Sequence, residues 1–275
     1  MILKKYDYFT SFRDTQNFDD NWISASYSIE FYRLVSQVAT VRSLFKNPHM
    51  VGGTGFMVRW NILEKNDYWG KYTSMVHDTE FSFDALVNGY KGVYVDAAKF
   101  YDLQPTKWDV SWKQRTRWWV GNYKLNRDIK KILWKNLFFK FEAPQKKFNY
   151  LDFIATLTPA WVWFIVLIIL NLGTTVLNSI LVAYLGPQVS IIFGILALPC
   201  VFLSYYFMTW FMGLFVLIRQ HKKLKRISVK SKIKALFAYP IFIFLNVPIS
   251  IYAQKHMNMK FVNTPKERSK NTKIN

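Results

Sequence analysis

The chain has 275 residues, of which 51% are hydrophobic, 19% aromatic and 20% charged, with 37 Lys and Arg against 17 Asp and Glu. That apolar content excludes a disordered or fibrous chain, and the length allows one or two domains with a proper core. The charge is segregated: residues 1–152 carry 23 basic and 16 acidic side chains, residues 153–218 carry none, and residues 219–275 carry 14 basic and one acidic, Glu267.

A long stretch without charge cannot cover itself with water-facing polar groups, so the sequence predicts a membrane protein with a water-soluble front half. The net charge of +20 does not point to nucleic acid. Most of the excess follows the first membrane segments, where topology and anionic lipid account for it, and no nucleic-acid motif accompanies it. The single Cys200 lies inside the uncharged stretch and reads as a small apolar filler, which excludes an intrachain disulfide and a cysteine metal site. His49, His77, His221 and His256 are scattered without ligand spacing.

In chain order, the opening MILKKYDYFTSFRD lacks an apolar core of signal-peptide length. Residues 17–41 begin with Asp and Asn cap candidates and continue with helical spacing through Trp22, Ile29, Tyr32 and Val35. In VGGTGFMV, Gly52, Gly53 and Gly55 around Thr54 suit a tight turn that approaches another group closely and enters a short strand at 56–58. Its spacing is not that of a dinucleotide or P-loop fingerprint. Residues 76–82 lead into a helix through Asp84 and Leu86, and acidic side chains at a helix start are favoured by the helix dipole alone.

Residues 92–102 alternate like a half-buried strand that Pro105 ends. Beyond it, Trp108, Trp112, Trp119 and Tyr123 share one helix face, with Lys and Arg over much of the remainder. This describes helices lying in the bilayer interface. Membrane anchoring explains that stripe but not the crowding of Gln114, Arg115, Arg117 and Trp118.

Three apolar segments follow, at 153–172, 189–218 and 235–253, each of spanning length. Pro159 near the start of the first is tolerable there, and the second must tilt, kink at Pro199 or begin at the interface. Residues 219–234 carry eight basic residues and no acid, which places them in the cytoplasm, and counting back two spans returns the front half to the same side. The basic tail, 255–275, either violates that rule or follows a re-entrant third segment.

The ordered series Gly53-Thr54-Gly55, then Asp78, then Gln114-Arg115-Thr116-Arg117-Trp118 ahead of membrane helices resembles the C-terminal half of a membrane-embedded family 2 glycosyltransferase. That group includes the cellulose, chitin, hyaluronan and poly-N-acetylglucosamine synthases. The Q-x-x-R-W pattern is its most specific element, and the likeness covers nearly the whole chain.

The resemblance implies an α/β fold, the later part of a GT-A-like domain, followed by interfacial helices and about three transmembrane helices. It implies inverting transfer of a hexose or N-acetylhexosamine from a nucleotide-diphosphate sugar, with UDP the expected nucleotide, onto a carbohydrate hydroxyl. Asp78 matches the catalytic base, Arg117 and Gln114 the groups that stabilise the departing pyrophosphate, Trp118 a stacking face for the acceptor sugar, and Gly53, Thr54 and Gly55 the acceptor end of the cleft. The catalytic portion is then cytoplasmic in a multi-pass cell-membrane protein.

Two departures stand out. Relatives commonly carry Thr-Glu-Asp where this chain has Val76, His77 and Asp78, so an imidazole replaces the acid beside the base; a protonated His77 would lower the Asp78 pKa. Relatives also begin with a nucleotide-binding half whose Asp-x-Asp motif holds Mg2+ or Mn2+ and the donor diphosphate, and no Asp-x-Asp occurs here. The chain is therefore expected to be the back part of a longer enzyme, its metal ligands and donor site absent or on a separate chain. The expected organisation is a partial catalytic domain at 1–106, interfacial helices at 107–152, a membrane region at 153–254 and a basic tail at 255–275. The alternative is a non-catalytic remnant or a partner of an intact synthase. A transporter ranks last, because no ionisable residue marks a pathway through the uncharged region.

Overall fold

The structure is a computed structural model that describes residues 5–44, 49–140, 142–182 and 187–259. Its soluble part is built on a three-stranded mixed sheet of order β2-β1-β3. The central strand β1 (Tyr8–Thr15) pairs antiparallel with β2 (Phe56–Val58) and parallel with β3 (Gly92–Asp102). The register to β3 shifts between Ser11 and Phe12, which face Val95 and Lys99, so residues 96–98 bulge out of the ladder.

The helix expected over 17–41 starts at Asn21, whose side chain accepts from the Ile23 and Ser24 amides while Ser24 Oγ accepts from the Asn21 amide. Helix α1 (Trp22–Tyr32) then widens into a π-helical turn, Arg33–Val38, before α2 (Ala39–Leu44). Periodicity does not forecast the π turn. Just ahead of it Glu30 accepts two bonds from Arg33 and one from Tyr239, at 2.7–2.9 Å. Burial pushes the Glu30 carboxyl up, but Arg33 and these hydrogen bonds outweigh it and hold it below the ordinary range.

Past β2 come α3 (Trp60–Lys65) and α4 (His77–Asn88), the latter closed by Gly89 in the left-handed conformation. The remaining helices are α5 (Trp108–Phe138), α6 (Pro144–Leu157), α7 (Ala160–Val182), α8 (Pro187–Arg219), α9 (Val229–Phe244) and α10 (Asn246–Lys255).

Among the described residues, two segments are long and apolar enough to cross a membrane, Pro199–Arg219 and Val229–Lys255. The first predicted span is corrected. Residues 153–172 do not form one rod, because α6 and α7 meet at a 100° bend. Thr158 takes an extended conformation, as the residue before a proline prefers, and Pro159 starts a new helix. Phe153 and Leu157 are instead core residues of the soluble part, packed with Val76, Leu86, Leu125 and Ile129.

The aromatic stripe of α5 also has a different explanation from the one expected. It is largely the seam between α5 and α10. Trp112 meets Tyr252 edge-on at 5.9 Å, Trp119 Nε1 donates to Asn246 Oδ1 at 3.4 Å, and Tyr123 Oη donates to the Ser250 carbonyl at 3.0 Å. The large apolar side chains that α5 leaves exposed lie mostly in its last turns, at Ile132, Trp134 and Phe138.

The soluble and helical parts share a core. Phe12, Phe18, Ala25, Ile29 and Tyr32 pack against Val216, Leu224, Ile227, Ala235 and Tyr239. The basic connection between α8 and α9 lies against the sheet, where Lys223 pairs with Asp96 on the β3 bulge and sits 3.6 Å over the Phe12 ring. Arg226 pairs with the buried Asp14 at 2.9 Å and donates to the Thr15 carbonyl. The basic tail beyond Met259 lies outside the described residues.

Candidate active site

Asp78 occupies the first turn of α4, and its two carboxylate oxygens do different things. Oδ1 accepts from the Thr79 amide at 2.8 Å, the bond expected of a helix-start carboxylate. Oδ2 faces the glycine turn and lies 3.4 Å from where a Cβ on Gly53 would stand. Ser82, one helical turn on, donates to the Asp78 carbonyl at 2.7 Å and accepts from the Val51 amide at 2.9 Å. The chain entering the glycine turn is thereby tied to the start of α4.

The turn depends on glycine at two positions. Gly53 and Gly55 have φ of 80° and 67°, which side-chain-bearing residues rarely adopt, and a Cβ on Gly55 would run into the Phe100 ring. The Gly55 carbonyl accepts from the Ser11 amide at 2.9 Å and from Ser11 Oγ at 2.5 Å, which clamps the turn to β1. Thr54 is exposed at its tip.

Helix α5 presents Gln114, Arg117, Trp118 and Gly121 at i, i+3, i+4 and i+7, so these positions share a face. Val76, just before α4, packs where a Cβ on Gly121 would stand 2.6 Å from its Cγ1, so α5 runs close to the start of α4. Arg117 and Asp78 are within electrostatic reach of each other. Burial lowers the Arg117 pKa and the Asp78 carboxylate opposes this. Trp118 meets Tyr27 and Phe31 edge-on at 6.1 and 6.3 Å. Gln114 is half-buried, with Oε1 buried and making no hydrogen bond. No described contact ties Gln114 or Thr54 directly to Asp78. Arg115 turns away from this face and is structural: Nε donates to Asn246 at 3.2 Å, Nη2 donates to the Phe242 carbonyl at 2.7 Å, and Cζ lies 4.1 Å over the Phe242 ring.

Sequence reasoning passes over Arg13. Its Nη1 donates to the Gly52 carbonyl at 3.3 Å, Nη2 pairs with Asp102, and Cζ lies 3.6 Å over the Phe31 ring, the same ring that Trp118 touches. The one signal for it is an arginine in the middle of the aromatic run YFTSFRDT.

The protonation of Asp78 is set by these neighbours. Burial raises its pKa above the ordinary carboxylate value and dominates; the Thr79 amide, His77, its own amide and Arg13 pull the other way. The lowering expected from His77 is therefore present but outweighed. The His77 ring lies 6.3 Å from Trp69, edge to face.

Among the described residues, no group of three or more His, Cys, Asp or Glu side chains could hold a metal ion. Near the site, Asp102 is already paired with Arg13. The donor set does not fit a divalent cation.

Comparison with known proteins identifies the family. The profile of glycosyl transferase family group 2 matches residues 7–218. A 72-residue stretch is 36% identical to the probable glycosyltransferase YdaM of Bacillus subtilis (strain 168). That stretch is 26% of this chain and 17% of the relative, so the match spans a small part of that protein's length. With a carboxylate facing a glycine turn, an arginine in reach of it and a family match over most of its length, the chain belongs to glycosyl transferase family group 2.

Proposed function

We propose that the chain carries the acceptor side of an inverting sugar transferase of the membrane polysaccharide synthase type. The acceptor hydroxyl gives its proton to Asp78 Oδ2, the freed oxygen bonds to the anomeric carbon, and the bond from that carbon to the nucleotide diphosphate breaks with its electron pair leaving on the diphosphate. A carboxylate whose pKa stands above the ordinary value is a stronger base than an exposed one, which suits a poorly acidic sugar hydroxyl. Arg117 meets the charge that develops on the leaving diphosphate, and Gln114, whose Oε1 has no internal partner, orients substrate beside it. Trp118 forms the aromatic wall for the acceptor ring and the Gly53–Thr54–Gly55 turn its floor. A UDP-linked hexose or N-acetylhexosamine is the proposed donor. Mg2+ or Mn2+ and the donor contacts other than that of Arg117 are assigned to residues outside this site.

The observation that carries this reading is the Asp78 carboxyl divided between its own helix and the glycine turn, in electrostatic reach of Arg117. The family match beginning at residue 7 and running through the first membrane helices suits an acting transferase as well as a retained portion of one. Membranes containing the chain, incubated with labelled nucleotide sugars, test it. Incorporation lost in Asp78→Asn is expected, and equal incorporation by parent and variant excludes Asp78 as the base. A non-catalytic partner of an intact synthase is favoured only by the missing Asp-x-Asp motif and predicts copurification with a full-length transferase.

The docked α8–α9 connection gives the proposed topology. Lys223 and Arg226 touch β3 and β1, so that connection and the soluble part lie on one side of the bilayer. Two crossings, by α7 and α8, then separate them. The basic connection assigns this side to the cytoplasm.

A further inference from the structure

We propose that Arg13 is a positioning residue of the transfer site, whose guanidinium ties the carbonyl of Gly52 and the aromatic wall to Asp102 so that the acceptor turn and the base keep one geometry. The inference rests on the reading of Asp78 as the base. Three contacts leave the same planar group in different directions: Nη1 to the Gly52 carbonyl at 3.3 Å, Nη2 to the Asp102 carboxylate on β3, and the flat face onto the Phe31 ring at 3.6 Å. Phe31 in turn meets Trp118 at 6.3 Å. Turn, sheet and aromatic wall are therefore joined through one side chain.

Lysine cannot reproduce this, because an ammonium is a point donor without a planar face or a fork. The charge of Arg13 also reaches Asp78, which is faced in addition by His77 and the Thr79 amide on α4 and by Arg117 on α5. Arg13 thus acts on the base through its charge and on the acceptor turn through its shape, and the two can be separated.

The test uses the full chain in membranes for transfer kinetics and in nanodiscs for carboxyl carbon NMR of labelled Asp78. Arg13→Gln removes charge and fork: Asp78 titrates at higher pH than in the parent, and the acceptor KM rises roughly tenfold. Arg13→Lys keeps the charge, so Asp78 titrates as in the parent while the acceptor KM still rises. Should Arg13→Gln fail to accumulate, Asp102→Asn serves instead, since it frees the fork without removing the arginine, and the same rise in acceptor KM is expected. An unshifted Asp78 titration in Arg13→Gln overturns the proposal. So does an acceptor KM unchanged in Arg13→Lys and Asp102→Asn, because a merely structural arginine would lower only the amount of active protein. Full incorporation by Asp78→Asn defeats the underlying assignment of the base instead, and the NMR arm, which needs no turnover, tells the two failures apart.

Discussion

The glycine turn offers a graded perturbation over four residues. A Cβ added to Gly52 would meet no atom within 4 Å, and its backbone is not left-handed, so Gly52→Ala should change stability by less than about 0.5 kcal/mol. Gly53 has φ of 80°, and its added Cβ would make only ordinary contact with Asp78 Oδ2 at 3.4 Å. Its cost is the left-handed conformation alone, about 1–2 kcal/mol. Gly55 has φ of 67° as well, but its Cβ would stand 2.8 Å from Phe100 Cζ and closer still to Cδ1 and Cε1. Displacing a ring on β3 adds about 1–3 kcal/mol of overpacking, for a total of about 2–5 kcal/mol. Urea unfolding of the detergent-solubilised chain, followed by tryptophan fluorescence, should rank the variants 52, 53, 55 in rising cost. Transfer should rank them differently. The methyl of Gly53→Ala fills the space beside the base, and displacement of about 1 Å at a reacting group costs on the order of a hundredfold in rate. Equal unfolding midpoints for Gly52→Ala and Gly55→Ala would refute the conformational argument. A Gly53→Ala variant as active as Gly52→Ala would show that the turn does not border the reacting atoms.

Three further outcomes follow from the same contacts. Asp78→Asn should be more stable than the parent at neutral pH while losing transfer: burial raises the folded-state pKa, so the parent's stability is intact below the ordinary carboxylate range and is lost as pH rises through the raised value. Unfolding of both proteins across that range should show equal midpoints in acid and diverging ones above it, and the acid limb of kcat/KM should fall above the ordinary carboxylate pKa. Arg115→Lys should cost about 1–3 kcal/mol in thermal unfolding, since it abandons the Phe242 carbonyl, Asn246 or the Phe242 ring, with little change in acceptor KM. Arg226→Gln should leave Asp14 buried with only Tyr32 and the Thr15 amide, costing about 1–2 kcal/mol and speeding trypsin cleavage between residues 219 and 234.

What could be read from the residues divides along a physical line. Local signals are reliable where the determining contacts lie within a few positions. The cap at Asn21 is of this kind, and the left-handed glycines before Phe56 and the strand alternation over Gly92–Asp102 leave a local mark in the sequence even though their partners on β1 are distant. Apolar periodicity, by contrast, states that a face is covered and not by what. The Trp112, Trp119 and Tyr123 face reads as a lipid-facing one, yet its partners Tyr252, Asn246 and Ser250 lie more than a hundred residues away. The same ambiguity hides the bend between α6 and α7, since Phe153 and Leu157 are as apolar as a straight span requires but pack on Val76 and Leu125.

The site shows the same division, and it explains why the arginine of β1 is silent in the sequence. Asp78, Arg117 and Trp118 can be singled out because each sits in a short pattern. Arg13 belongs to none, and its role exists only after three separate segments converge on it, at Gly52, Phe31 and Asp102. A guanidinium held 13% exposed, with a carboxylate on one edge and an aromatic ring beneath, is costly to desolvate and fixes the orientation of the groups around it. Burial of this kind needs the fold to be recognised, and here it lies between the glycine turn at Gly52 and the Phe31 ring that Trp118 touches.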